Sequence, residues 1–189
     1  MFTIPNILTF GRLLLVPCFL FASIRGMYAA AFAIFVTAAV TDVFDGMIAR
    51  RLNQRSRLGA LLDPAADKML LVCGFLFYTF HRMPLVRIPG WLTFVVFIRD
   101  FLIVSYAYLM YTRVQVKRFP PSWAGKASTV TQAVTLAVMI AANAFMPGWL
   151  AFSELLFRFT LVITLFSAWD YLRRGGRLLD ESLKYNSPA

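Results

Sequence analysis

The sequence predicts an all-α fold, an integral membrane bundle of six transmembrane helices. Of its 189 residues, 60% are hydrophobic and only 15% are charged, whereas soluble domains are nearer ~45–50% apolar and ~25% charged. Apolar stretches of helix length recur along the whole chain, each near the ~20 residues that cross a bilayer. Residues typical of turns, above all Gly, Pro and Asn, separate these stretches.

The predicted spans follow one another with short connections. They cover residues 6–24, 27–50, 60–81, 91–112, 124–146 and 149–172. Trp91, Trp123 and Trp149 stand at span ends, where amphipathic rings favour the membrane interface. A soluble helical bundle would need a polar stripe on each helix, and residues 70–80 offer almost none. We therefore expect one membrane domain over residues 1–177 and a short polar tail over 178–189.

Basic residues predict the orientation of the spans. One set of loops holds Arg50, Arg51, Arg55, Arg57, Arg113, Lys117, Arg118, Arg173, Arg174, Arg177 and Lys184, and the opposite set holds Arg25, Arg82 and Arg87. Cytoplasmic loops carry the excess of Lys and Arg, so both termini are expected in the cytoplasm. The formal net charge of +10 then reflects topology and attraction to anionic lipids. Nucleic acid is not an expected partner, because no basic stripe lies on a soluble face.

Four aspartates lie inside predicted spans. Asp42 and Asp45 end the second span, and Asp63 and Asp67 begin the third. Helical rise puts Asp42 roughly 22 Å from Met27, and Asp67 at a similar depth on the next helix. Spacings of three and four residues put each pair on one helical face. Such acids are tolerated as ion pairs, with Arg50 and Lys68 as available partners, or as ligands of hard divalent cations.

The aspartates belong to a longer pattern, Asp42-x2-Asp45-Gly46-x2-Ala49-Arg50-x8-Gly59-x3-Asp63-x3-Asp67. At every defined position this pattern resembles the signature of the CDP-alcohol phosphotransferase family. The six predicted spans are similar to the family's fold. The opening segment, residues 5–12, resembles the start of the members that synthesise glycerophospholipids. The likeness covers most of the chain up to about residue 140.

The resemblance implies a transferase of phospholipid biosynthesis that moves a phosphatidyl group from CDP-diacylglycerol to an alcohol and releases CMP. It implies that Asp42, Asp45, Asp63 and Asp67 bind divalent metal, as two ions of Mg²⁺ or Mn²⁺. Asp67 would also be the catalytic general base that takes the acceptor's proton. It further implies a CDP site formed by Gly46, Ala49, Arg50 and Gly59, although tight helix packing also explains the small residues.

Candidates for binding the acceptor lie in the later spans. Arg99 is roughly 12 Å from Trp91 along its helix, and an intramembrane arginine is costly unless it faces a polar cavity. Lys126 begins the fifth span. The resemblance makes Arg99 and Lys126, with Arg118 as a weaker candidate, residues that bind the acceptor's phosphate. Alternatively, Arg99 and Asp100 neutralise other buried groups.

Glycerol 3-phosphate is the first choice of acceptor, giving phosphatidylglycerol phosphate. The alternative is phosphatidylglycerol, giving cardiolipin. Family members that use glycerol 3-phosphate usually carry Arg-Glu where this chain has Arg99-Asp100, and a second Lys where it has Ser128. Both differences resemble the CMP-forming cardiolipin synthases.

A transporter or proton channel is the alternative from a different functional class. Such proteins often have interrupted spans in two related halves, whereas this chain concentrates its acids between two adjacent spans. We therefore expect a multi-pass enzyme of the inner cell membrane whose active site faces the cytoplasm. The resemblance also implies a homodimer. In the last span, Glu154 and Arg158 are four residues apart and are expected to pair.

Overall fold

The part of the chain that the structure describes folds into six helices. A computed structural model describes the backbone of residues 4–52, 57–113, 122–146, 148 and 150–185, and the side chains of residues 11, 13–41, 68–106, 122–146, 148, 152–174 and 176. The helices are α1 (Ile4–Ile24), α2 (Tyr28–Leu52), α3 (Arg57–Phe80), α4 (Gly90–Arg113), α5 (Trp123–Phe145) and α6 (Leu150–Tyr185). Within the described residues there is no strand, so the all-α prediction is confirmed.

The helix ends agree with the predicted spans except at the end of α6. That helix continues to Tyr185 rather than ending at residue 172. Hydropathy marks where the apolar part of a helix ends, but Arg, Leu, Glu and Lys are good helix formers. The polar residues after 172 therefore extend the same helix.

A left-handed glycine turns the chain between α1 and α2. Gly26 has φ +72°, a conformation that costs glycine little and other residues more. The Gly26 N–H donates to the Ser23 carbonyl at 3.1 Å, and the Met27 N–H donates to the Ala22 carbonyl at 2.9 Å. This is the Schellman pair of bonds, which satisfies carbonyls at the end of α1.

The chain divides into two compact units. The first comprises Met1–Ile88 with Leu136–Ser153, and within it α1 packs against α2 and α3. Its buried residues are mostly apolar and include Phe19, Phe35, Phe75 and Tyr78. The Phe19 and Phe35 ring centroids lie 6.2 Å apart in a tilted arrangement, so aromatic packing forms the centre of this unit.

The side chain of Asn143, near the end of α5, hydrogen-bonds the backbone of the connection between α3 and α4. The Val86 N–H donates to Asn143 Oδ1 at 3.1 Å, and Asn143 Nδ2 donates to the Val86 carbonyl at 2.9 Å. Asn143 Nδ2 also donates to the Met139 carbonyl of its own helix. The side-chain amide thus bonds both backbone groups of Val86, as a neighbouring strand would in a sheet. Buried backbone groups need such partners.

The second unit comprises Pro89–Thr135 with Glu154–Ala189. It contains α4, α5 up to Thr135, and α6 from Glu154 onward. Its core differs in chemistry from that of the first unit. Among its described residues, nine buried ones are polar or charged: Thr93, Arg99, Ser122, Ser128, Gln132, Thr135, Thr160, Thr164 and Ser167.

Two helical stretches are long and apolar enough to cross a membrane. Among the described residues these are Trp123–Phe145 and Phe152–Arg174, and shorter apolar stretches occur at Leu13–Ile24, Tyr28–Thr41 and Lys68–Phe80. Large apolar side chains are exposed on several helices, for example Phe94 and Phe101 of α4. Exposed apolar side chains in this number are typical of a surface that contacts lipid or another protein.

Replacing Asn143 by Ala should lower the free energy of unfolding by about 1–3 kcal/mol, because the Val86 N–H and carbonyl then lose their partner. Thermal unfolding of the purified protein in detergent measures this. Thr131→Val is a matched control, since that hydroxyl bonds only the Ala127 carbonyl of its own helix, and its effect should stay within about 0.5 kcal/mol. Equal stability of the two variants would contradict the role given to Asn143.

Candidate functional site

Helices α2 and α3 carry the acidic motif. Residues 42, 45, 46, 49 and 50 lie in the last turns of α2, and residues 59, 63 and 67 lie in the first turns of α3. Both helices are continuous through these positions, so spacings of three and four keep each aspartate pair on one face. The side chains of Asp42, Asp45, Asp63 and Asp67, of Gly46, Ala49 and Arg50, and of Gly59 lie outside the described residues.

An aromatic contact sets the register of the two helices. Tyr28 begins α2 and Tyr78 lies near the end of α3, and their ring centroids are 6.2 Å apart. The two helices are therefore antiparallel neighbours at this end. Helical rise then puts Asp42 about 21 Å from Tyr28 along α2, and Asp63 about 22 Å from Tyr78 along α3. The two aspartate pairs are consequently expected within about one helical turn of the same depth.

The donor set of the motif suits a hard divalent cation. Ionised carboxylates are hydrogen-bond acceptors only, so four of them cannot satisfy one another. Oxygen ligands of this kind are preferred by Mg²⁺ and similar ions. Among the side chains that the structure describes, no three His, Cys, Asp or Glu residues group together as metal ligands.

Arg99 lies inside the second unit with its guanidinium bonded on several sides. The side chain is only 6% exposed, and Nη1 donates to Asp100 Oδ1 at 2.9 Å. Nε donates to Ser167 Oγ at 3.2 Å, and Nη2 donates to the same oxygen. Nη2 also donates to the Gly125 carbonyl at 3.3 Å. Arg99 therefore links α4 to both α5 and α6.

The first turn of α5 is fixed by a serine cap. The Gly125 N–H donates to Ser122 Oγ at 2.9 Å, which satisfies one of the free amides at a helix start. A Cβ on Gly125 would lie 3.0 Å from Tyr171 Cε2 and 3.2 Å from Ser122 Oγ. A residue with a Cβ at this position would require Tyr171 or Ser122 to shift by a few tenths of an ångström.

Lys126 follows this turn and is exposed. Its Nζ lies 5.4 Å from the centroid of the Trp123 ring, within the range of a cation–π contact. Trp123 is 82% exposed, so the pair lies on the surface at the start of α5. Arg118, the third predicted acceptor residue, lies outside the described residues.

A buried polar seam joins α5 to α6 and was not predicted from the sequence. We use this name for Ser128, Gln132 and Thr135 of α5 with Thr160, Thr164 and Ser167 of α6. Thr135 Oγ1 and Thr160 Oγ1 are 2.7 Å apart, Ser128 Oγ donates to Thr164 Oγ1 at 3.4 Å, and Gln132 Nε2 donates to Ser128 Oγ at 3.2 Å. Both triplets have the spacing i, i+4, i+7, a signal of one polar face in each apolar span.

One smaller expectation also has an outcome. Arg158 Nη2 lies 3.9 Å from Glu154 Oε2, with both side chains exposed, so the predicted pair is confirmed. His81 directly follows α3 and stacks on Phe77 with ring centroids 4.6 Å apart. Its Nδ1 accepts a hydrogen bond from the Met83 N–H.

Comparison with known proteins reveals relatives along almost the whole chain. The chain is 35% identical over 95% of its length to the CDP-diacylglycerol--glycerol-3-phosphate 3-phosphatidyltransferase of Escherichia coli (strain K12), and it covers 99% of that protein. Its likeness to the protein of the same name from Shigella sonnei (strain Ss046) has the same extent. It is 32% identical over 92% of its length to human cardiolipin synthase (CMP-forming), of which it covers 62%.

The family model described as CDP-alcohol phosphatidyltransferase matches residues 2–167. The matched region contains the whole acidic motif, and it extends through α4 and α5 into α6. The resemblance indicated by the motif is thereby confirmed over most of the sequence. This chain belongs to the CDP-alcohol phosphatidyltransferase family.

Proposed function

We propose that this protein transfers the phosphatidyl group of CDP-diacylglycerol to glycerol 3-phosphate, giving phosphatidylglycerol phosphate and CMP. The observation that carries the proposal is its likeness to the Escherichia coli transferase along 99% of that protein. The acidic motif supports the same chemistry. An acceptor hydroxyl must approach a pyrophosphate, whose negative charge bare carboxylates would repel. Cations held by these carboxylates would remove that repulsion. Family membership favours a transferase over a transporter.

Phosphatidylglycerol is the second candidate acceptor, which would make the product cardiolipin. The likeness to human cardiolipin synthase supports it, as does Ser128. Family members that use glycerol 3-phosphate usually carry a second lysine at this position. In this chain Ser128 is buried there and donates a hydrogen bond to Thr164. That position therefore offers no cation to a small phosphorylated acceptor.

The four aspartates of α2 and α3 are the proposed metal ligands, for two ions of Mg²⁺ or Mn²⁺. The register set by Tyr28 and Tyr78 supports this set, because helical rise from these residues puts the two aspartate pairs within about one turn of the same depth. When bound, such ions offset the charge of the pyrophosphate and of the leaving CMP. Asp67 accepts the proton of the acceptor hydroxyl, which makes that oxygen a better nucleophile.

The remaining motif residues are proposed to hold the CDP moiety. Gly46, Gly59 and Ala49 leave room for the nucleotide next to the backbone, and Arg50 pairs with a phosphate. On the acceptor side, Lys126 and Arg118 supply positive charge to the phosphate of glycerol 3-phosphate. Arg99 lies beside the same turn of α5, where its guanidinium bonds the Gly125 carbonyl.

We further propose that all six helices span the inner membrane, with both termini and the active site on the cytoplasmic side. Basic side chains lie over aromatic rings at the start of α5 and late in α6, as Lys126 on Trp123 and Arg173 on Trp169. Gly125 lies against Tyr171, so these two pairs occur at one level. Such pairs suit the interface with anionic lipids. A homodimer completes the proposal.

The acceptor assay tests the function directly. Purified protein with CDP-diacylglycerol and Mg²⁺ should release CMP when glycerol 3-phosphate is added, and the rate should fall to background with excess EDTA. Phosphatidylglycerol is supplied in a parallel reaction as the second acceptor. CMP release only with phosphatidylglycerol would make that lipid the acceptor in place of glycerol 3-phosphate. CMP release with neither would refute both candidates.

Replacing Asp67 by Asn should lower kcat by about 10²-fold or more, because the general base is lost while the side chain keeps its shape. The initial rate of CMP release measures this. Glu154→Gln is the matched control, since it neutralises an exposed carboxylate paired only with Arg158, and its rate should stay near that of the wild type. Near-normal turnover by the Asp67 variant would remove Asp67 from the base role.

Reporter fusions test the orientation. A fluorescent protein fused after residue 189 should fluoresce, and alkaline phosphatase at the same place should be inactive, because that end is expected in the cytoplasm. Fusions after Gly148, between the fifth and sixth helices, should give the opposite pattern. The same pattern at both positions would contradict a membrane-spanning α6.

A further inference from the structure

The guanidinium of Arg99 is held by a hydroxyl on another helix. Ser167 Oγ of α6 accepts from both Nε and Nη2 of Arg99, and Ser167 is fully buried. A guanidinium presents its donors in a rigid planar fork. Two bonds to one oxygen therefore determine the direction in which the rest of the fork points.

That direction brings Arg99 to the first turn of α5. Nη2 donates to the Gly125 carbonyl at 3.3 Å, and the same carbonyl accepts from Thr129 Oγ1 at 3.2 Å. On its other side, Gly125 lies close to the Tyr171 ring of α6. The backbone at residue 125 is thus held from α4 and from α6.

Lys126 is the next residue along the chain. Its N–H donates to the Ser122 carbonyl at 3.1 Å, so it belongs to the same capped turn. Its side chain is exposed, whereas the guanidinium of Arg99 is almost fully enclosed by protein partners. Of these two cations, Lys126 is the one that an acceptor reaches without breaking bonds inside the protein.

We infer that Ser167 is a positioning residue for the acceptor: together with Arg99 it holds the first turn of α5, so that Lys126 meets the acceptor's phosphate. The inference rests on the proposed transfer to glycerol 3-phosphate. It gives Arg99 an indirect role in acceptor binding, and it assigns a function to a serine outside the acidic motif.

Ser167→Ala tests the inference. It should raise the KM for glycerol 3-phosphate about tenfold, because both hydrogen bonds that Ser167 Oγ accepts from the charged Arg99 are lost, while kcat and the KM for CDP-diacylglycerol stay within twofold. Thr160→Val is the matched control, because it removes another buried hydroxyl of α6, the partner of Thr135, and should leave all three constants within twofold. Thermal unfolding of both variants shows whether their losses of stability are similar.

A second variant reaches the same turn without removing a hydrogen bond. Gly125→Ala puts a methyl group against Tyr171 and Ser122 and should displace the turn. We expect the KM for glycerol 3-phosphate to rise while the KM for CDP-diacylglycerol is unchanged. This variant keeps the inference testable if Ser167→Ala does not fold.

A double-mutant cycle tests whether Ser167 acts through Lys126. Once Lys126 is replaced by Ala, adding Ser167→Ala should raise the KM for glycerol 3-phosphate no further, because residues that act as one unit are not additive. Multiplied effects, or an unchanged KM in Ser167→Ala, would overturn the inference. No CMP release by the wild-type protein would instead refute the proposed function, so the two failures are distinguishable.

Discussion

Polar groups inside an apolar helical chain must find their hydrogen-bond partners within the protein, because neither hydrocarbon nor an apolar core supplies any. The second unit is organised by this constraint. The buried guanidinium of Arg99 is bonded by Asp100, Ser167 and the Gly125 carbonyl. The polar seam continues the pattern, since its hydroxyl and amide groups bond one another between α5 and α6. Hydrogen bonds between membrane helices contribute modestly one by one, but together they specify which faces meet.

The first unit meets the same constraint differently. Its centre is aromatic, with Phe19 against Phe35 and Tyr28 against Tyr78, and most of its polar demands arise where helices end. At the turn after α1, Gly26 allows the Schellman bonds that satisfy the last carbonyls. In the connection after α3, Asn143 supplies the partner that Val86 lacks. Local backbone needs are thus met by one residue in each case.

The acidic motif is the exception that indicates chemistry. In the polar seam the side chains of α5 and α6 bond one another. A motif of four carboxylates has acceptors in excess, and only protons, cations or basic side chains correct that imbalance. An imbalance of this kind is costly without a function. Family membership and the likeness to phosphatidyltransferases are the context of the proposal that cations and a phosphate substrate complete the set.

The sequence by itself determined the number of helices, nearly all their ends and the acidic motif, because apolar length, turn residues and i, i+4 spacing are local properties. The sequence also indicated that Arg99 needs polar partners, but not which residues they are. Only the tertiary structure decided that Ser167, 68 positions away, and the Gly125 carbonyl accept hydrogen bonds from Arg99. It also decided that Ser128 is buried against Thr164. The periodicity of the sequence identifies the polar face of a helix, whereas tertiary packing determines which other helix covers that face.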